Sequence, residues 1–151
     1  ALACLALAVG LGSMRGPDVN MGVDSGVSDK VTWSDHGVEN LRSEGKPVFV
    51  DVTADWCITC KANQATVLST NALTEAFNNS GVVYMIADWT NYDPDIAKLL
   101  ERHGRTGIPL YLMYPADTDA EPLILPQLLT RGVVLDAISA VSNHTALVSA
   151  N

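Results

Sequence analysis

The sequence predicts an α/β fold of four strands interleaved with helices, and three observations carry that expectation. Val48, Phe49, Val50 and Val52 form a short β-branched run and Val82 to Ala87 a second, the pattern of strands buried on both faces. Around them lie segments with helical spacing of apolar residues, one of them bracketed by Asp93 as N-cap, Pro94 at the first helical position and Gly104 just past the end. A chain of 151 residues with 48% hydrophobic content supplies one core of ordinary domain size plus a tail.

Taken in order, the first twelve residues, A-L-A-C-L-A-L-A-V-G-L-G, are all apolar or glycine. As a helix they reach only about 18 Å, short of the roughly 30 Å hydrocarbon core, so they cannot span a membrane alone. They also lack an initiator Met and a basic flank, which makes a complete signal peptide a poor reading. A truncated signal peptide and an acylated Cys4 remain rivals, although in a lipoprotein signal the apolar region would precede the cysteine. The simplest reading of Cys4 is a small hydrophobe in lipid. Residues 14–30 are rich in Gly, Ser and Asp without a sustained period and read as a flexible linker.

From Val31 onward, Ser34 or Asp35 caps a short helix through Val38 and Leu41 that closes near Gly45. Pro47 opens the central strand. A helix from Ile58 carries Ala62, Ala65 and Leu68 on one face, and a further helical stretch around Leu73, Ala76 and Phe77 ends at Asn78-Asn79-Ser80-Gly81. After the second strand comes the Asp93-capped helix, with Ile96, Leu99, Leu100 and His103 inward. Ile108 to Tyr114 is the third strand, and Leu123 to Leu125, between Pro122 and Pro126, is an edge strand. The last helix starts from a Thr130 cap and buries Val133, Val134, Ala137, Ile138 and Val141.

The central strand runs straight into a C-x-x-C pair, Cys57 and Cys60, placed where strand gives way to helix. A helix N-terminus presents partial positive charge and unpaired N–H groups, which stabilise a thiolate. The spacing lets the second thiol resolve a mixed disulfide made by the first, so Cys57 reads as the more exposed nucleophile and Cys60 as the resolving thiol. Asp51, six residues before Cys57 and flanked by Val50 and Val52, reads as a partly buried carboxyl with a raised pKa, an acceptor for the Cys60 proton. Asp55 reads as solvated. Trp56 reads as a contact surface beside the nucleophile, or as packing. Trp33, Trp89 and Tyr92 read as packing or rim contacts. A structural zinc site needs further ligands, and neither Cys4 nor His36, His103 or His144 supplies a second pair at ligand spacing.

The segments A-D-W-C-I-T-C-K, preceded by K-P-V-F-V-D-V-T, then D-W-T-N-Y-D-P, G-R-T-G-I-P-L-Y-L and L-P-Q-L-L-T span most of Val31 to Ser142. Together they resemble the C-terminal thioredoxin-like domain of the DsbD/ScsB family of bacterial transmembrane thiol:disulfide interchange proteins. The resemblance implies a thioredoxin-like fold, a central four-stranded mixed sheet flanked by helices, with an added N-terminal helix. It makes residues 1–13 the remnant of a transmembrane helix, 14–30 the linker, 31–146 the domain and 147–151 a tail. It matches Asp51 to the buried acid of such folds. It also matches Pro109 to a cis-proline facing the cysteines, where the residues alone favour an ordinary trans bond, and gives Gly107, Ile108 and Trp56 a part in binding an extended partner. Members often carry a second acid where this chain has Gln64, a departure that implies a lower pKa for Cys57.

The resemblance implies a protein-disulfide reductase on the periplasmic face of the inner membrane, taking electrons from a membrane-embedded domain of the same protein and passing them to periplasmic thiol proteins. No organic cofactor is required, because the dithiol carries two electrons. A net charge of -8 with nine scattered Lys and Arg argues against nucleic acid. A cytochrome-maturation or free-standing thioredoxin-like reductase and a copper(I)-handling C-x-x-C module are the alternatives, the latter weakened by the facing G-I-P segment.

Overall fold

A computed structural model describes the backbone of residues 30–148 and the side chains of residues 30–142. The readings made for residues 1–29, including Cys4, for the His144 side chain and for 149–151 lie outside the described residues. The described chain runs β1 (Val31–Thr32), α1 (Asp35–Ser43), β2 (Val48–Thr53), α2 (Ile58–Asn63), a π-helical turn (Gln64–Leu68), α3 (Asn71–Ser80), β3 (Val83–Asp88), α4 (Pro94–Arg102), β4 (Leu110–Tyr114), β5 (Leu123–Leu125) and α5 (Arg131–Val148). Among the described residues no helix is long and apolar enough to cross a membrane.

The strands form one sheet in the order β1-β3-β2-β4-β5. β1 and β2 are parallel to β3, whereas β4 is antiparallel to both β2 and β5, so the sheet is mixed as expected. It has five strands where four were expected. The additional strand is the exposed two-residue β1, too short to carry a periodic signal, docked where Val31 meets Met85.

Alternation along β2 divides the core in two. Phe49 points with Tyr84, Tyr111 and Met113 toward α3 and α5, and Val48, Val50 and Val52 point with Met85, Ala87, Leu110 and Leu112 toward Trp33, α1 and α4. Each face is apolar because helices cover both, which is why β2 reads as a continuous hydrophobic run. The expected caps are present: Ser34 Oγ accepts from Gly37 N, and Asp93 Oδ1 accepts from Asp95 N and Ile96 N. Gly81 closes α3 with φ 70°, in the left-handed region that a glycine enters without steric cost.

The helix after the cysteines departs from its expected face. Ala62 and Ala65 are exposed, and the buried positions are Cys60, Asn63, Val67 and Leu68. Ala62, one turn on from the exposed Ile58, shares its outward face, and the π-helical turn from Gln64 shifts the later positions off the 3.6-residue spacing. Asn63, polar and buried, donates from Nδ2 to Tyr111 Oη at 2.9 Å and to the Gln127 carbonyl at 2.7 Å, and its Oδ1 accepts from Leu129 N at 3.2 Å. That one amide ties the helix behind the cysteines to β4 and to the segment entering α5.

Candidate active site

Parallel pairing of β2 with β3 and antiparallel pairing with β4 fix three segments around one end of the sheet. Strand β2 ends at Thr53 and the chain turns through Ala54, Asp55 and Trp56 into Cys57. Because Val52 pairs with Leu110, the residues just before β4 lie beside that turn. Ile108 packs against Ala54, Cys57 and Cys60, and the Ile108-Pro109 peptide bond is cis. Pro109 is buried, and Gly107 and Ile108 are half-buried. The G-I-P segment and the cysteine pair, 47 residues apart from Cys60 to Gly107, thus meet in space.

Cys57 and Cys60 are joined as a disulfide, with Cα atoms 5.3 Å apart. Cys57 occupies the N-cap position of α2, and its Sγ accepts from the Cys60 backbone N–H at 3.1 Å. The expected contrast in exposure is small, 6% for Cys57 against 3% for Cys60, because the two sulfurs cover each other and Ile108 covers both. The difference between them is positional: one caps the helix and the other lies inside its first turn.

Trp56 is 48% exposed and held at its edges. Its indole N–H donates to the Thr90 carbonyl at 3.2 Å, and its ring stacks on Tyr92 with centroids 5.6 Å apart and leans on Trp89 at 6.1 Å. Tyr92 has φ 58°, a left-handed conformation uncommon for a non-glycine residue. Asp55, exposed as expected, donates its N–H to Thr90 Oγ1, which in turn is held by Asp88. The loop after β3 therefore braces the loop that carries the cysteines. Ile58, 84% exposed, extends this apolar rim past Cys57.

Behind the cysteines, Asp51 is 3% exposed. The register explains its company. Phe49 pairs with Tyr84, so Asp51, two residues on along the same face, is a diagonal neighbour that a tyrosine can reach. The Tyr84 hydroxyl donates to Asp51 Oδ2 at 2.6 Å and lies 3.3 Å from Gln64 Oε1. Oδ1 has no hydrogen-bond partner among the described residues. Burial pushes the Asp51 carboxyl up from the ordinary 3.8 to about 6, against the Tyr84 hydrogen bond and the Lys30 charge, which pull it down. Burial beside Asp51 also pushes the Tyr84 hydroxyl far above the ordinary tyrosine range, so it remains a donor.

Lys30, assigned by composition to the linker, sits with its amine 4.8 Å from the centre of the Tyr84 ring. It borders an open cleft of about 450 Å³ whose walls include Asp51, Cys60, Lys61 and Gln64. His36 is exposed, and His103 lies at the end of α4 with Nε2 3.4 Å from the Tyr114 hydroxyl, away from the cysteines. Among the described residues no group of three or more His, Cys, Asp or Glu is arranged to hold a metal ion.

Sequence reasoning named Cys57, Cys60, Asp51, Trp56, Gly107, Ile108 and Pro109, and all seven lie at this end of the sheet. Lys30, Asn63, Tyr84 and Thr90 escaped it. Only Tyr84 left a trace, as the one hydroxyl-bearing residue in the second apolar run.

The comparisons with known proteins fit this geometry. A family described as thioredoxin-like matches residues 29–116. Curated relatives include a thiol:disulfide interchange protein DsbD from Colwellia psychrerythraea, 33% identical over 78 residues, which are 51% of this chain and 12% of that protein. The DsbD of Cronobacter sakazakii is 34% identical over 82 residues, 54% of this chain and 14% of that protein. The chain thus spans only about an eighth to a seventh of the length of these two relatives. Among solved structures, the oxidised C-terminal domain of Neisseria meningitidis DsbD aligns with TM-score 0.54 at 23% identity, covering 73% of this chain and 97% of that one. A thioredoxin from Thermus thermophilus aligns with TM-score 0.60 at 17% identity, covering 76% and 88%. These structures share the fold.

Proposed function

Because the chain belongs to the thioredoxin-like family, we propose that it is a thiol:disulfide oxidoreductase domain working through a Cys57/Cys60 dithiol-disulfide cycle. The observation that carries the reading is the disulfide itself: it lies at the strand-to-helix junction, with one sulfur at the helix cap and the cis Ile108-Pro109 segment packed against it. A structural staple needs no such placement.

In the reducing direction the Cys57 thiolate attacks a partner disulfide. One partner sulfur leaves as a thiolate that takes a proton from water, and a Cys57-partner disulfide forms. Cys60 then gives its proton to Asp51 and attacks Cys57 Sγ. The Cys57-Cys60 bond forms, the Cys57-partner bond breaks, and the electron pair leaves on the second partner sulfur. The partner gains two electrons and the domain's dithiol is oxidised. Asp51 is suited to receive that proton because an acceptor with a pKa near the operating pH is an effective base, and burial has brought it to about 6. Gly107, Ile108 and Pro109 offer an edge for an extended partner segment, and Trp56 offers an aromatic contact beside it. The same Ile108 packing speaks against copper(I) handling, which favours exposed soft ligands.

The finer reading assigns residues 31–146 to the working domain, 14–30 to a tether and 1–13 to a membrane anchor, at the periplasmic face of a bacterial inner membrane. Electrons come from a membrane-embedded domain of the same protein and pass to periplasmic thiol proteins. Support comes from the likeness to proteins named thiol:disulfide interchange protein and from the apolar first twelve residues. The dithiol is carrier enough, with no organic cofactor.

Trapping tests the division of labour. Cys60→Ser leaves the mixed disulfide unresolved and is expected to accumulate partner adducts on non-reducing gels of periplasmic extracts. Cys57→Ser is expected to accumulate few, since the remaining thiol lies inside the helix turn. Equal trapping by both variants, or none by either, overturns the assignment, and mass spectrometry of the adducts identifies the partners.

A further inference from the structure

We propose that Tyr84 is a positioning residue for the proton acceptor of this site: its hydroxyl holds Asp51 Oδ2, leaving Oδ1 as the atom that takes the Cys60 proton, and Lys30 steadies the tyrosine ring at the mouth of the cleft. The inference rests on the oxidoreductase reading and adds to it the group that orients the Asp51 carboxylate.

Asp51 is almost wholly buried and has one oxygen bonded, to Tyr84 at 2.6 Å, and one unpartnered among the described residues. A buried carboxylate oxygen without a donor is costly, a cost that a role in proton transfer explains, and a carboxylate fixed through one oxygen presents the other in a defined direction. Next, the cleft of about 450 Å³ that Asp51 borders also borders Cys60, so acceptor and donor share a solvent-connected space through which the proton can leave. Finally, Lys30 comes from ahead of β1 to place its amine over the Tyr84 ring, where a cation is attracted to the aromatic face.

The titratable groups around the carboxyl belong to every element packed on it. Tyr84 on β3 and Tyr111 on β4 flank it in the sheet, Cys60 lies on α2, and Lys30 stands ahead of β1. Asp55, Lys61 and Asp88 border the open part of the cleft. Of these, the Tyr84 hydroxyl is the one hydrogen-bonded to the carboxylate, so its removal acts on Asp51 directly. The ionised form loses its donor, and the acid limb of any step that needs ionised Asp51 moves to higher pH.

Rapid mixing of one equivalent of the aromatic disulfide DTNB with the reduced full chain carrying Cys4→Ser, which leaves only the Cys57 and Cys60 thiols, separates the steps, because attack by Cys57 releases one chromophoric thiolate and resolution by Cys60 releases a second. In Tyr84→Phe the acid limb of the second phase is expected to shift upward by about one pH unit, making that phase about fivefold slower near pH 6. Lys30→Met is expected to move the limb in the same direction, and Lys30→Arg to keep it in place. Lys30 lies outside the strands, so its variants supply the test should Tyr84→Phe fold poorly. Unshifted limbs in variants whose parent shows both phases overturn the proposal and leave the redox reading standing. A parent that shows no second release overturns both.

Discussion

The Asp51 carboxyl ties the stability of the fold to pH through a single proton. Its pKa is lifted by burial from 3.8 to about 6, so the folded state holds the proton more tightly than the unfolded chain does. The sign follows: this contribution to stability is complete below 3.8 and is lost as pH rises through about 6, where the folded protein must carry a buried charge. The displacement corresponds to about 3 kcal/mol of penalty at neutral pH. Asp51→Asn keeps the shape and removes the charge, so denaturant unfolding is expected to show it more stable than its parent by about 1 to 3 kcal/mol at neutral pH, with the gap closing toward pH 4. The same substitution is expected to slow Cys60-dependent resolution roughly 100-fold, the loss of a general base. Stability and turnover moving in opposite directions is the mark of a residue retained for chemistry. A variant less stable at every pH, or one that resolves at the parental rate, removes Asp51 from the role.

At the level of elements, the π-helical turn and Asn63 decide how the cysteine helix is seated. Two donated bonds and one accepted bond join Asn63 to Tyr111, Gln127 and Leu129, all in buried or part-buried surroundings. Asn63→Ala leaves the Leu129 N–H and the Gln127 carbonyl without this partner, and is expected to destabilise the protein by roughly 2 to 4 kcal/mol in denaturant melts. A loss below about 0.5 kcal/mol, the range of surface substitutions, shows that the seat is set elsewhere. This link was not legible in the sequence, because a polar residue on a helix reads as solvent-facing until its long-range partners are known. Ala62 and Ala65 were read on one face with Leu68 because spacing alone does not say which side meets the core; the exposed Ile58 sets Ala62 outward, and the π-helical turn brings Leu68 round to the inside. The caps and the edges were legible, since Ser34, Asp93-Pro94 and Gly104 act through neighbours in the chain. The same holds at the site. Cys57, Cys60 and Asp51 announce themselves by local context, whereas Tyr84 reaches Asp51 only through the β2-β3 register and Lys30 only through a loop path that composition reads as linker.

At the scale of the molecule, charge governs how fast different disulfides arrive. The chain carries a formal net charge of -8, and the cleft beside the cysteines is lined by Lys30 and Lys61 against Asp51, Asp55 and Asp88, an excess of one negative charge with Asp51 ionised. Two effects compete for control of the bimolecular step: local chemistry at Cys57, which is blind to ionic strength, and the long-range field, which is screened beyond about 10 Å at 0.1 M salt. Comparing small disulfides of opposite charge separates them, because dicationic cystamine and anionic oxidised glutathione meet the same nucleophile through different fields. The reduced chain is expected to react faster with cystamine at low salt, after correction for the intrinsic reactivity of each disulfide toward a free thiol. That corrected advantage is expected to shrink at least severalfold between about 0.01 M and 1 M salt, as the screening length contracts from about 30 Å to about 3 Å. A corrected ratio that ignores salt assigns selectivity to contacts at Trp56 and Ile108 alone. A ratio favouring the anion shows that Lys30 and Lys61 outweigh the aspartates at the point of attack.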